Sequence, residues 1–197
     1  MPQRNILVLN GHPAPRSLSQ LFSETYAEHA RASGHKVKVI HLNDLAFDVD
    51  FGQGNYQSFK ALEPDLQAFM DNLKWADHFV LAAPMWWGGL PAKLKGLFDR
   101  AFVPGLAFNP SVKKLGGVPA PMLEGRTGRL ILTADTPMWA LRLMYHRAIL
   151  FTVNRQILKF VGIKPKAPLW FSGASEADDT TVNRWVGQVE KLAVAGA

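Results

Sequence analysis

The chain contains no cysteine among its 197 residues. This absence excludes a disulfide framework, a thiolate nucleophile, a CxxC redox pair, and any iron–sulfur or zinc site built on cysteine ligands. If a chain of this composition performs redox chemistry, a bound cofactor has to carry it.

Long hydrophobic runs are also missing. The longest stretch without a charged residue is 78–92, which is too short to cross a bilayer and is interrupted by Pro84, Gly88, Gly89 and Pro91. We therefore expect no transmembrane helix and no stable membrane insertion. The amino-terminal sequence has one short apolar run and lacks the longer apolar region and cleavage site of a signal peptide, so a cytoplasmic location is expected.

Positive charge is in excess and unevenly distributed. The net charge is +6, from 22 Lys and Arg against 16 Asp and Glu. Residues 93–166 carry 13 Lys and Arg, and their only acids are Asp99, Glu124 and Asp135. This asymmetry is typical of a protein that meets an anionic ligand, a nucleic acid or an acidic partner. A solvated basic surface without a partner explains the charge equally well.

Short apolar runs alternate with segments of helical periodicity along the whole chain. Strands are predicted at 5–10, 36–42, 78–84, 129–135 and 165–171, and helices at 18–32, 64–75, 91–102, 139–161 and 178–194. The helix at 139–161 is predicted to be either long or broken. The segments 43–60 and 102–128 are predicted as long loops, because they are rich in turn residues and lack a period. No repeat or linker divides the chain, so residues 1–197 are predicted to form a single domain.

This alternation predicts the fold class. Each right-handed crossover helix buries its apolar stripe against a parallel sheet, so helices cover both faces. Five such units favour a flavodoxin-like three-layer α/β sandwich with strand order 2-1-3-4-5 over the six-stranded dinucleotide-binding order. Ligands bind such sheets at the carboxyl ends of the strands, where the strand order reverses between the first and third strands. The segments that follow strands one, three and four therefore form the candidate site.

The segment after the first strand contains groups that suit a phosphate. Ser17 and Ser19 carry hydroxyls, His12 and Arg16 lie beside them, and the first turn of the next helix offers free amides. The segment matches neither GxGxxG nor GxxxxGK(S/T), which removes the main support for a nicotinamide-type dinucleotide fold or a P-loop nucleotidase. The alternative interpretation is that Ser17 only caps the helix and His12 is a turn residue.

The segment after the third strand places Trp86 and Trp87 side by side before two glycines. Adjacent residues on a strand point to opposite faces, so only one ring is expected to pack easily into the core. The other ring is expected to flank a flat heteroaromatic cofactor, since ligand pockets are mostly apolar. Exposure at an oligomer interface is the competing explanation.

Two stretches of the chain carry a family resemblance. One is His12-Pro13 followed by Ser17–Gln20, and the other is residues 84–102, PMWWGGLPAKLKGLFDRAF. The second is similar to the signature P-(L/M)-x-W-x-x-x-P-x-x-L-K-x-(W/L)-(F/I)-(D/E)-(R/K)-x-F. The chain thereby resembles, over nearly its whole length, the flavodoxin-like NAD(P)H:quinone oxidoreductases. This group includes quinone reductases, modulator-of-drug-activity proteins and reductases ancillary to potassium efflux systems.

The resemblance implies an NAD(P)H dehydrogenase (quinone), in which hydride passes from NADPH or NADH through bound FMN, or FAD, to a quinone or similar acceptor. It also implies a homodimer with the pocket at the subunit boundary. The alternative is a flavin-binding regulatory subunit or electron carrier without independent quinone turnover. A nucleic-acid partner is not expected, because no recognised binding motif accompanies the charge.

The resemblance further assigns flavin-binding residues. They are His12, Ser17, Leu18, Ser19 and Gln20 at the phosphate or ribityl end, Pro84, Met85, Trp86, Trp87 and Gly88 at the isoalloxazine, and Thr133, Ala134, Asp135 and Thr136 at the pyrimidine end. Backbone amides along Trp86–Gly88 are expected near the reactive edge of the ring.

Two catalytic candidates and one departure follow the fourth strand. The family has a Tyr and a His there that help to stabilise the reduced flavin or the hydroquinone oxygen, and Tyr145 and His146 match them. A basic helix face with Arg142 and Arg147 is the alternative for His146. Asp135 departs from the family's Thr-Thr-Gly-Gly segment, whose two glycines are missing. It either places negative charge near the flavin or caps the next helix and faces away.

Overall fold

The strands form one large sheet and one small hairpin. The structure is a computed structural model that describes residues 2–52 and 59–196. Its strands are β1 (Asn5–Asn10), β2 (Lys36–His41), β3 (His78–Pro84), β4 (Phe108–Lys113), β5 (Pro119–Pro121), β6 (Thr127–Ala134), β7 (Lys164–Pro165) and β8 (Leu169–Ser172). The large sheet is parallel and runs β2-β1-β3-β6, with β7 and β8 both pairing with β6. The predicted order is confirmed, with the fifth strand divided into two short ones.

Helices cover both faces of this sheet. They are α1 (Leu18–Ala32), α2 (Pro64–Trp75), α3 (Ala92–Ala101), α4 (Met138–Leu143), α5 (Ala148–Phe151) and α6 (Asp179–Val194). One buried cluster joins α1 and α6 to one face, and a larger cluster joins α2, α3 and α5 to the other. This is the three-layer sandwich that the alternating pattern predicts. None of the helices in the described part of the chain is long and apolar enough to span a bilayer.

Side-chain alternation along the strands produces the two clusters. In β1, Ile6 and Val8 join the cluster with α1 and α6, while Leu7 and Leu9 join the other. All four side chains are fully buried. Neighbouring residues of a strand point to opposite faces, and a parallel sheet covered on both faces needs apolar residues in both sets. A continuous apolar run is the result.

The segment 102–128, predicted as a loop, contains the antiparallel hairpin of β4 and β5. The loop prediction was wrong there because Pro110, Pro119 and Pro121 indicate broken structure. Proline is nevertheless tolerated in edge strands, where its missing N–H costs no ladder bond. This hairpin has two strands, so both of them are edges.

Of the two forms predicted for the helix at 139–161, one long helix or a broken one, the structure has the broken one. A turn separates α4 from α5, and α5 continues directly into π-helical turns at Thr152–Leu158. His146 and Arg147 in the turn have φ values of 48° and 57°. Successive left-handed residues cannot continue a right-handed helix, so the break lies at these two residues.

The other predicted loop, 43–60, lies partly outside the described residues, and its described flanks are held by one buried cation. The side chain of Arg100 in α3 is 1% exposed. It donates to both carboxylate oxygens of Glu63 at 3.0 and 2.8 Å, and to the carbonyl oxygens of Asp48 and Ala61. Burial acts to raise the pKa of Glu63, but hydrogen bonds from Arg100 and from the backbone hold it below its usual value.

His78 at the start of β3 is expected to make stability depend on pH. Its ring is fully buried, with Nδ1 at 2.7 Å from Thr127 Oγ1. Burial, followed by the positive charges of Arg129, Arg4 and Lys166, lowers the pKa of His78 to about 3. The folded protein therefore keeps His78 neutral at pH values where the unfolded chain takes up a proton.

The free energy of unfolding is consequently expected to fall as the pH drops below about 6.5, by up to about 1.4 kcal/mol per pH unit for this one group. Carboxyls with lowered pKa values add their own loss only below about 4.5. Urea unfolding across this pH window measures the slope. His78→Gln is expected to be less stable at neutral pH but to show a flatter slope, and identical slopes for the two proteins would contradict a buried neutral His78.

Candidate functional site

A cleft opens at the carboxyl edge of the sheet, where the strand order reverses between β1 and β3. Its volume is about 320 Å³. Four loops contribute to it, those that follow β1, β3, β6 and β8. The lining residues are His12, Arg16, Ser17, Leu18, Ser19, Pro84, Met85, Trp86, Thr133, Ala134, Asp135, Ala174 and Ser175.

The amino terminus of α1 forms one end of the cleft. Ser17 is the N-cap, and its Oγ accepts a hydrogen bond from the Gln20 amide at 3.2 Å. The Gln20 side chain turns back to accept from the Arg16 amide at 2.8 Å, so it does not line the cleft. The first amides of a helix have no intrahelical acceptors, and the helix dipole favours an anion beside them. Ser17 therefore caps the helix and also lines the cleft in front of these amides.

Ser19 supplies the clearest sign of a ligand at this end. Its side chain is 1% exposed, and its Oγ has no hydrogen-bond partner in the described residues. Buried hydroxyls normally find a partner, because leaving one unpaired costs about 1–3 kcal/mol. Ser19 lines the cleft. A phosphate oxygen in the cleft would give this hydroxyl its missing acceptor.

His12 also lines the cleft. Its amide donates to Asn10 Oδ1 at 3.1 Å, and its Nδ1 lies 3.0 Å from the Ala14 amide nitrogen. The imidazole meets the Trp86 ring edge-on, with the ring centroids 5.5 Å apart. These contacts hold the ring in place and use Nδ1 within the loop. Among the described residues, Nε2 of His12 has no hydrogen-bond partner, which leaves that nitrogen for a ligand.

The two tryptophans lie in a tight turn after β3. The Trp86 amide donates to the Gly89 carbonyl and the Gly89 amide donates to the Trp86 carbonyl, both at 2.9 Å. Trp87 and Gly88 at the centre have φ values of 51° and 75°. Trp86 is 45% exposed and Trp87 is 105% exposed. The expectation that one ring packs into the core was wrong, because the turn lifts both side chains off the strand.

The turn also changes which amides are available. The Trp86 amide donates within the turn. The amides of Trp87 and Gly88 donate no backbone hydrogen bond within the described residues. Both of these residues line the larger cavity next to the cleft. Of the three amides expected near a ring edge, two therefore remain free to donate.

The larger cavity has a volume of about 720 Å³. It shares Met85 and Asp135 with the cleft, so the two spaces adjoin. The lining residues are Met85, Trp87, Gly88, Asp135, Thr136, Leu141, Tyr145, Ala148 and Ile149. Apolar walls with a few polar groups and a volume of this order are typical of small-molecule sites.

The two catalytic candidates differ in position. Tyr145 lines the cavity, whereas His146 is exposed and does not. His146 lies in the left-handed turn between α4 and α5, so a basic helix face does not describe it either. Tyr145 is therefore the candidate that the fold brings to the cavity.

Asp135 lies where the cleft and the cavity meet. Its Oδ1 accepts from the Ser175 amide at 2.8 Å, and hydrogen bonds from the backbone and side chain of Ser175 hold its pKa below the usual value. The N-cap of α4 is Pro137, so Asp135 does not cap that helix. An ionised carboxylate therefore borders both spaces.

Apart from Gln20 and His146, every predicted site residue lines either the cleft or the cavity. The sequence reasoning missed Ala174 and Ser175, which follow β8 and reach the same edge. The rule used for the first, third and fourth strands would have found them if applied to the last strand. It also missed Leu141, Ala148 and Ile149. These residues reach the cavity because the helix is broken between α4 and α5, and no sequence pattern marks the position of that break.

Curated relatives match part of the chain. NAD(P)H dehydrogenase (quinone) 1 of Rattus norvegicus is 31% identical over 110 residues, which cover 54% of this chain and 39% of that protein. The FMN-dependent NADH:quinone oxidoreductase of Ruegeria pomeroyi is 33% identical over 110 residues, which cover 47% of this chain and 52% of that protein. The chain thus spans about half or less of the curated relatives it matches.

The fold and the family match over nearly the whole chain. The structure of an NAD(P)H:quinone oxidoreductase from Methanothermobacter marburgensis superimposes with a TM-score of 0.78 and 21% identity, covering 98% of this chain and 96% of that one. A family model described as flavodoxin-like fold matches residues 4–192. The fold class expected from the sequence is confirmed, and the chain belongs to this flavodoxin-like family.

Proposed function

We propose that the protein is a flavin-dependent NAD(P)H:quinone oxidoreductase that binds FMN in the cleft and works in the adjoining cavity. The buried, unpartnered hydroxyl of Ser19 carries the proposal, because Ser19 belongs to the amino-terminal turn of α1 and lines the cleft that adjoins the cavity. The relatives named as quinone oxidoreductases support the reaction, and the relative named as FMN-dependent supports FMN over FAD.

The residues of the cleft suit the phosphate end of the cofactor. Ser19 Oγ, the first amides of α1, the His12 ring and the Arg16 side chain all border the same space. Charge-assisted hydrogen bonds to an anion are stronger than neutral ones. A doubly charged phosphate would therefore be held by donors that the protein otherwise leaves unused.

The residues of the cavity suit the ring end and the substrates. Bound flavin supplies the hydride transfer, and the protein orients the reactants and adjusts their electrostatics. The Trp87 and Gly88 amides offer hydrogen bonds to a ring edge, and the Tyr145 hydroxyl offers one to a substrate oxygen. One cavity of this size would serve NAD(P)H and the quinone in turn, and the excess of positive charge favours NADPH.

Purification without added flavin tests the proposal. We expect a yellow protein whose heat-released chromophore runs as FMN, and which alone oxidises NADPH with a quinone at catalytic rates. Ser19→Ala should bind FMN about tenfold more weakly, because a hydrogen bond to a charged group is lost, whereas Ser33→Ala at the far end of α1 should not. Bound flavin without turnover would favour a carrier or regulatory subunit, and FMN affinity equal in both variants would contradict the assigned cleft.

Asp135 is proposed to lower the reduction potential of the bound cofactor. A fixed negative charge at the cavity disfavours the extra charge of the reduced ring. Asp135→Asn is therefore expected to raise the midpoint potential by about 30 mV or more, which is about 1.4 kcal/mol for two electrons. Spectroelectrochemical titration measures the shift. Asp178→Asn, a cap substitution at α6, is the control, and equal potentials in all three proteins would refute this role.

An apolar surface beside the cavity is proposed to bind a second copy of the chain. Its exposed members are Trp87, Trp139, Leu143, Met144, Tyr145 and Phe151. Soluble monomers rarely expose a contiguous surface of this kind. Two of these residues, Trp87 and Tyr145, also line the cavity, so a partner seated here would help to close it.

Sedimentation equilibrium is expected to show a dimer. Leu143→Glu places a charge on this surface and should weaken association by about a hundredfold or more. Leu115→Glu makes the same change at an exposed leucine away from the cavity and should leave the dimer intact. A monomeric wild-type protein, or equal loss in both variants, would contradict a dimer through this surface.

A further inference from the structure

A second groove has no part in the proposed flavin site. It lies between the β4–β5 hairpin, the end of the π-helical turns and β7, and has a volume of about 550 Å³. None of its lining residues lines the cleft or the cavity. All the residues that line the groove belong to the basic segment 93–166.

Positive charge predominates along the groove. Lys114, Arg155, Lys159 and Lys164 line it, and the one acid among the lining residues is Glu124. Glu124 is paired with Lys114 at 2.6 Å. The other three cations form no ion pair within the described residues. They are therefore available to an external anion.

The hairpin tip adds an apolar contact beside this charge. Leu115 is 102% exposed and directly follows two lysines in the sequence. The next residues, Gly116 and Gly117, have φ values of 81° and 76°. These left-handed glycines make a sharp turn that projects Leu115 into solvent. Val118 and Phe160, 47% and 37% exposed, extend the apolar surface into the groove.

We propose that the groove and the hairpin tip dock on a membrane surface that carries anionic phospholipid headgroups. Leu115 would enter the boundary between headgroups and acyl chains, and Arg155, Lys159 and Lys164 would contact the headgroup phosphates. Basic side chains around an exposed apolar residue are complementary to such a boundary. The attachment is peripheral, because no described helix is able to span a bilayer.

The apolar tip favours lipid over nucleic acid. Phosphate backbones are bound by basic and polar groups, and bases are bound by stacking aromatic or hydrogen-bonding side chains. A fully exposed leucine has no role in either kind of contact. The proposal does not depend on flavin chemistry. Where both proposals hold, acceptors dissolved in the lipid come within reach of the enzyme.

Vesicle co-sedimentation of the full chain tests the proposal. We expect binding to phosphatidylcholine vesicles that contain phosphatidylglycerol, weak binding to pure phosphatidylcholine, and release at high salt. Lys159→Glu/Lys164→Glu should weaken binding at least about tenfold, since each basic residue contributes to attraction. Leu115→Ser should also weaken binding while the remaining binding stays salt-sensitive.

A matched control separates this surface from net charge. Lys36→Glu/Lys191→Glu makes the same change in net charge at exposed lysines elsewhere and should bind vesicles like the wild type. Thermal melting of each variant checks folding. The proposal is overturned by absence of binding to anionic vesicles, by equal binding to neutral ones, or by an equal loss in the control. If the protein binds an oligonucleotide in place of vesicles, and the Lys159→Glu/Lys164→Glu variant loses that binding, the groove is assigned to nucleic acid instead.

Discussion

The parallel alignment of the strands is the constraint on which the rest of the structure depends. β1, β3, β6 and β8 run in the same direction, so the segments that follow them gather at one edge of the sheet. These segments together line one cleft. The Met85 amide donates to the Thr133 carbonyl at 2.8 Å, which extends the pairing of β3 with β6 into the loops. The candidate site is thus a continuation of the sheet, because the strand pairing that fixes the sheet also fixes the loops that line the cleft.

Elements with strong local signals could be predicted from the sequence, and those set by unusual backbone conformations could not. β1, β3, α1 and α2 have the predicted bounds, because apolar runs or periodic stripes end there at turn residues. Strand order located the cleft segments after β1, β3 and β6, and the family resemblance assigned individual residues in them, whereas Ala174 and Ser175 after β8 were not predicted. The exposure of both tryptophan rings and the break at His146 and Arg147 depend on positive φ in residues other than glycine, which no propensity indicates. The β4–β5 hairpin was not predicted, because its prolines indicate a loop.

Those unusual conformations are concentrated at the site. Among residues 2–52 and 59–196, positive φ outside glycine occurs at Arg16, Trp87, His146 and Arg147. Arg16 lines the cleft, Trp87 lines the cavity, and the other two directly follow Tyr145 at the cavity wall. Each such residue costs about 1–3 kcal/mol and persists only where the surroundings over-determine it. The cost is consistent with a function here, because relaxing either turn would reposition Trp87 or Tyr145.

Two kinds of charge bear on the candidate site, the positive charge spread over the basic segment and the single carboxylate of Asp135 at the cavity wall. An excess of positive charge such as that of segment 93–166 favours the approach of anions over a long range. Two of its three acids, Asp99 and Glu124, are each paired with a lysine at 2.6 Å. Asp135 is held instead by the Ser175 amide, a dipole that leaves a full negative charge at the cavity wall. In the proposed flavin site, long-range attraction of the anionic cofactor would thus be combined with a local charge that opposes adding electrons to it, and this combination suits a cofactor that is retained and passes its electrons on.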